Sequence, residues 1–343
     1  MITSQLFGTT KNGIPVTKFI LQNKNDFEIH LLSYGLTVQK ILFPTNSNTK
    51  QDIVLGFDAL KTYEEHGLFI GCIVGRNANR LSKGKLVLEN SEIQLSQNEG
   101  NNQLHGGQNG FDKQVWDCEI IGNKLKATYT SADGEEGFPG EVTTTVFYEL
   151  TDTNELKIDL NATTNKTTVV NLTRHDYFNL KDGGASDIGS HQVQVNASAF
   201  TPVDSESLVT GDVLAVNHHK AFDLRKPITV KNNLENFKTL LPKGYDHNFS
   251  VNQTEKLATV AIATDPDSGR QVEILSTQPG VQFYTGGHIS EILGKENNVY
   301  KPFHGFCLET QHFPDATKHK HFSSTLVTPE APYSQQIVYK FKA

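Results

Sequence analysis

Short runs in which apolar and polar residues alternate, rich in Val, Ile, Thr, Phe and Tyr, recur along the chain between Gly, Asn and Asp. A period of two puts every second side chain on one face of an extended strand, so these runs predict half-buried β-strands. Residues 85–88 and 92–96 flank Glu89-Asn90-Ser91 and predict a hairpin. Residues 143–150 alternate, turn at 151–154 and return as 156–164. Residues 258–264 and 271–277 flank Asp265-Pro266-Asp267-Ser268-Gly269, where Pro presets φ and Gly supplies a positive one. Further strands are predicted at 168–172, 191–196, 281–285 and 335–341. Helical periodicity is weak and supports only two short helices, near 59–66 and 234–239. There is no βαβ alternation, no Gly-rich nucleotide loop, no linker and no internal repeat. The pattern predicts a single all-β domain over residues 1–343, a large sandwich or barrel with a few short helices.

A chain of 343 residues can bury the core such a domain needs. Its net charge of −7 argues against nucleic acid, an anionic membrane surface or a polyanionic substrate. The N-terminus lacks a basic segment followed by an apolar one, and no apolar run reaches membrane-spanning length. Cys72, Cys118 and Cys307 are scattered and fit a reducing, cytoplasmic setting without disulfides.

Candidate chemistry starts at Cys307-Leu308-Glu309-Thr310-Gln311-His312-Phe313-Pro314-Asp315. Glu309 sits in an apolar run that reads as a strand and breaks at Pro314. Burial there would raise its pKa into the range of a general base, whereas at a solvated strand end it would be an ordinary carboxylate. Five other clusters carry capable side chains. Gly75-Arg76-Asn77-Ala78-Asn79-Arg80 offers two guanidinium groups and two amides, donors suited to a hydroxyl-rich ligand or to a solvated loop. His105 precedes Gly106-Gly107, which permit a sharp turn or a close backbone approach. In the stretch 171–180, extended backbone would place His175 and Tyr177 on one face and Arg174 and Asp176 on the other. Asp246 adjoins His247 in a Gly-led loop, and Gln282 shares a strand face with Tyr284. His218-His219 and His319-Lys320-His321 have no i, i+4 partner and no carboxylate in register, so no metal site is expected. Together these groups suit a neutral carbohydrate site.

These motifs resemble those of the aldose 1-epimerase family. The likeness runs from Gly35-Leu36 to Pro332 and rests on Gly75-Arg76 with Ala78-Asn79-Arg80, Leu104-His105-Gly106-Gly107, Asp133-Gly134-Glu135-Glu136-Gly137-Phe138-Pro139-Gly140, His175 with Tyr177-Phe178-Asn179-Leu180, Asp246-His247-Asn248-Phe249, Gln278-Pro279-Gly280-Val281-Gln282, and Leu308-Glu309-Thr310-Gln311 with Pro314-Asp315. The resemblance implies a large antiparallel β-sandwich with a sugar cleft, no organic cofactor and no metal. It implies a neutral aldohexose as substrate, no nucleic-acid or membrane partner, and a monomer or homodimer. The family's base falls on Glu309, its acid on His175 and its second active-site histidine on His105. Sugar-binding positions fall on Asn79, Arg80, Tyr177, Asp246 and Gln282. Arg174 and Asp176 stand where the family usually has Asn and Ser, and Gly287 where it often has Asn, which bears on sugar preference more than on the reaction. A hexose-phosphate epimerase would need a cationic cluster, which Arg76 and Arg80 could begin. A glycosidase could use Asp246 with Glu309. A sugar-binding module would not need His175 and Glu309 together.

Overall fold

The computed structural model describes residues 1–45, 49–88, 91–252 and 256–343. Its strands form one nine-stranded and two five-stranded sheets with smaller two-stranded pieces, and every pairing between named strands is antiparallel. The nine-stranded sheet runs in the order Asp117–Ile121, Lys124–Ser131, Val142–Leu150, Glu155–Thr164, Tyr333–Lys342, Gln271–Ser276, Ala258–Thr264, Gln192–Val195, Ile228–Thr229. The C-terminal strand is thus stitched into the middle of the sheet. Residues 143–150 and 156–164 pair as the alternation predicts, from Val142 opposite Thr164 to Leu150 opposite Leu156.

The second sheet carries the chemistry. It contains Leu214–Ala215, Ala197–Thr201, Asp246–Val251, Gly280–Tyr284 and Cys307–Gln311, in that order. Phe249, Val281, Phe283 and Leu308 enter the main core with Val146, Ile158, Ile274 and Ile337 of the large sheet. Alternation then forces Asn248, Gln282 and Glu309, which oppose one another across the three strands, to the other face. Core packing therefore decides where the acid residue points. The N-terminal sheet, from Ile2–Thr9 to Lys50–Asp52, adds Leu21, Ile29 and Ile41 to the same core.

Among the described residues there are two α-helices, Leu60–Glu65 and Val230–Asn236. The first lies where the sequence predicts it, and the second sits several residues earlier than 234–239. Its N-terminal end is fixed by burial of Val230, which the weak periodicity did not mark. The predicted strand at 168–172 is only Thr168–Val169, and residues 171–180 contain a regular strand only at Thr173–Arg174. Lys85–Leu88 and Ser91–Gln94 pair as a hairpin, while Glu89 and Asn90 of its turn lie outside the described residues.

Candidate active site

Four segments meet around a cavity of about 280 Å³ lined by Phe69, Asn79, Arg80, Glu99, His105, His175, Tyr177, Asp246, Tyr284, His288 and Glu309, among others. Glu309 and Asp246 come from the second sheet. His175 and Tyr177 arrive on the segment after Thr173–Arg174, which pairs with Ile73–Val74. Asn79, Arg80 and His105 come from two loops joined where Arg80–Leu81 pairs with Gln103–Leu104. Seven of the eight residues singled out in the sequence line the cavity. The eighth, Gln282, sits behind it and donates from Nε2 to Asp246 Oδ1 at 2.7 Å.

At the centre, His175 Nε2 lies 3.6 Å from Glu309 Oε1, and both side chains are almost fully buried. Burial, reinforced by the nearby Asp246 carboxylate and opposed by Arg80, raises the Glu309 pKa well above the usual carboxylate range. Burial also pushes the His175 imidazole down to about 4. The second oxygen of Glu309, Oε2, is buried with no hydrogen-bond partner among the described residues. The Tyr177 ring lies tilted against His175 at 5.0 Å between centroids, while its hydroxyl donates to the Leu68 carbonyl at 3.0 Å. That hydroxyl is thereby spoken for, and Tyr177 offers the cavity its ring.

His105 is held in one tautomer. Its Nδ1 accepts from the Asn79 backbone N–H at 3.2 Å, so in the neutral ring the proton sits on Nε2. Burial, with His175 and Arg80 nearby, keeps that ring neutral. His105, His175 and Glu309 have potential ligand atoms within 4.8 Å of one another and form the one such group of three among the described residues. A metal would need a lone pair on His105 Nε2, which moves the proton to Nδ1 and sets it against the Asn79 N–H. The set therefore fits proton transfer and hydrogen-bond donation better than ligation.

Three cavity residues carry unusual backbone conformations. Phe69, Asn79 and His105 all adopt left-handed φ, at 54°, 64° and 54°. Asn tolerates this region, but for the other two the cost is on the order of 1–3 kcal/mol each. Gly106 turns the chain beneath them at φ 90°, and a Cβ there would lie 2.0 Å from the Gly75 carbonyl oxygen. Gly106 thus serves close backbone packing, while a Cβ at Gly107 would fall 2.3 Å from the Glu136 carboxylate.

Two sequence expectations change. Arg76 does not reach the cavity: it is 2% exposed and donates to the carbonyls of Ser131, Ala132, Pro139 and Gly140. The Asp133–Gly140 motif is therefore a loop clamped by a buried guanidinium, and Arg76 adds no cation beside Arg80 for a phosphate. His247 sits against Phe222, away from the cavity. Glu99 and Phe69 line the cavity but escaped notice in the sequence. Nothing local marks Phe69, and Glu99 is recognisable only through Arg80, nineteen positions away.

The family model described as "Aldose 1-epimerase" matches residues 17–340. Galactose mutarotase of Bos taurus is 40% identical over 342 residues, which span 99% of this chain and 98% of that one. Aldose 1-epimerase of Escherichia coli K12 is 31% identical, with 97% of each chain covered. A solved galactose 1-epimerase from Lactobacillus acidophilus superposes with a TM-score of 0.86 at 26% identity, covering 100% of this chain and 98% of that one. An aldose epimerase homologue from C. elegans gives 0.87 at 27% identity, over 94% and 98%.

Proposed function

The chain belongs to the aldose 1-epimerase family, and we propose that it interconverts the α and β anomers of a free neutral aldohexose with Glu309 as base and His175 as acid. The observation that carries this reading is the buried His175–Glu309 pair, 3.6 Å apart in the cavity. Burial makes each group reluctant to hold a charge, so the pair keeps one proton between them. That proton can sit on Glu309, leaving both groups neutral, or on His175, leaving a carboxylate and an imidazolium. The two placements have the same proton count and lie in the same pH window.

Anomer exchange uses this property. Glu309 as carboxylate takes the proton from the C1 hydroxyl while His175 gives its proton to the ring oxygen. The C1–O5 bond breaks and the C1 oxygen becomes an aldehyde carbonyl. Rotation about C1–C2 turns the other carbonyl face toward O5, and the two proton transfers run backwards to close the opposite anomer. Each positioned transfer contributes on the order of 10²- to 10⁴-fold. The His105 Nε2–H is a fixed donor for a sugar oxygen, and its tautomer cannot switch without losing the Asn79 contact. Asn79, Arg80 and Asp246 hold hydroxyls, Gln282 orients Asp246, and the Tyr177 ring bounds the floor.

The cavity of about 280 Å³ suits one sugar ring and sits at the lower end of ligand-pocket sizes. Its lining cation, Arg80, already faces Glu99 and Asp246, which disfavours a phosphorylated sugar. No helix among the described residues is long and apolar enough to cross a membrane. Three unpaired cysteines support a reducing compartment, and we place the enzyme in the cytoplasm. Polarimetry on freshly dissolved α-glucose and α-galactose tests the reading. Catalytic protein should bring the rotation to equilibrium faster than buffer, and a rate equal to buffer for both sugars would refute it.

A further inference from the structure

The structure assigns Glu99 as a positioning residue that keeps the Asp246 carboxylate free for the sugar by holding Arg80 away from it. The inference rests on the function proposed above. Glu99 grips the Arg80 guanidinium with both oxygens: Nε donates to Oε2 at 2.7 Å and Nη2 donates to Oε1 at 2.8 Å. This paired geometry is the strong form of an Arg–carboxylate contact. The atom turned toward Asp246 is Nη1, which stands 3.5 Å from Oδ2.

Arg80 thus has two acidic neighbours and gives its full fork to the one nearer the rim. The Glu99 side chain is 35% exposed, against 12% for Arg80 and 22% for Asp246. The turn that carries Glu99 is fixed by backbone hydrogen bonds to and from Asn102. On the inner side, Asp246 Oδ1 is occupied by Gln282. Its Oδ2, touched among the described residues only by the long 3.5 Å contact from Arg80, is therefore the oxygen with room for a sugar hydroxyl, provided that Arg80 comes no closer. Without Glu99, the guanidinium loses its better partner and closes on Asp246, which then meets the sugar with both oxygens engaged. Glu99 touches neither the His175–Glu309 pair nor, on this account, the reacting atoms. Its loss weakens sugar binding and leaves the chemical step intact.

The test combines mutarotation kinetics with calorimetric titration of galactose and glucose. Glu99→Gln keeps the shape of the side chain and removes its charge. It should raise KM and Kd about tenfold while kcat stays within about threefold. Because Glu99 acts through Arg80, the same change in an Arg80→Ala background should add no more than about twofold. Three results would overturn the assignment: a KM within about twofold of wild type, a loss in kcat as large as the loss in kcat/KM, or an undiminished effect in the Arg80→Ala background. A wild-type protein that binds sugar without turning it over would strike the catalytic reading, and the titration would still decide the role of Glu99. A wild type that neither binds nor turns over sugar would overturn both.

Discussion

Burial is what gives individual side chains of this site their function. Glu309 would be an ordinary carboxylate in water, but here desolvation raises its pKa, in the direction that the proposed base needs. The same burial lowers His175 to about 4. A second proton therefore enters the pair only in strong acid, where His175 is charged, Glu309 is neutral and no base remains. In alkali the pair loses its last proton and no acid remains. Turnover is predicted to rise as pH climbs through about 4, to hold a plateau, and to fall on the alkaline side, as a pH–rate profile of kcat/KM would show. A profile without an acid limb would contradict the shared proton. Gly287 shows the opposite case, a departure from the family pattern with a purely steric cause. A Cβ there would fall 1.8 Å from the Lys243 carbonyl oxygen, so the Asn often found in the family cannot be accommodated.

At the level of elements, the three neighbouring strands Asp246–Val251, Gly280–Tyr284 and Cys307–Gln311 work as one unit, with Phe249, Val281, Phe283 and Leu308 anchoring the face opposite Glu309. Local pattern marked the strands around 281–285 and 307–311, because period two needs no long-range information, whereas Asp246–Val251 reads from sequence as a Gly-led loop and is a strand in the fold. Period two also separated His175 and Tyr177 from Arg174 and Asp176, although a regular strand there is only Thr173–Arg174. Arg174 and Asp176 form a fully buried pair at 2.7 Å. The arginine also donates to the Leu36 and Gly71 carbonyls, and Asp176 accepts from the Tyr339 hydroxyl. Asp176→Asn is therefore predicted to cost about 3–5 kcal/mol of stability in denaturant titration, by leaving a buried guanidinium uncompensated. Arg174→Asn with Asp176→Ser should leave turnover per folded molecule, and the glucose-to-galactose ratio, within about threefold, since neither side chain lines the cavity. A switch in sugar preference would show that one of them reaches the substrate. Arg76 could not be read this way. Its sequence neighbours Asn79 and Arg80 do face the cavity, and only the fold of Asp133–Gly140 around it reveals a structural role.

Across the whole molecule, the all-β class and three local hairpins, at 85–96, 143–164 and 258–277, followed from local pattern, while the joining of distant segments did not. The C-terminal strand Tyr333–Lys342 pairs between Glu155–Thr164 and Gln271–Ser276, and no turn chemistry announces so distant a partnership. The cavity depends on the same kind of long-range meeting, which explains why Glu99 and Phe69 went unseen. Charge acts on this scale too. A net −7 and a single cavity guanidinium between two carboxylates disfavour anionic sugars. Glucose 6-phosphate is predicted to have a kcat/KM at least about a hundredfold below that of glucose, measured by the same polarimetric assay. Comparable values would mean that the phosphate finds a cationic partner in the fold.

The proposed role of Glu309 as proton acceptor is tested most directly by Glu309→Gln, with mutarotation rate and sugar affinity determined on one preparation. The amide keeps the shape of the side chain and cannot accept the C1 hydroxyl proton. Turnover is expected to fall at least about a hundredfold, the scale of a lost general base, while the sugar Kd stays within a few-fold of wild type. A variant that keeps more than about a tenth of wild-type turnover would contradict the account.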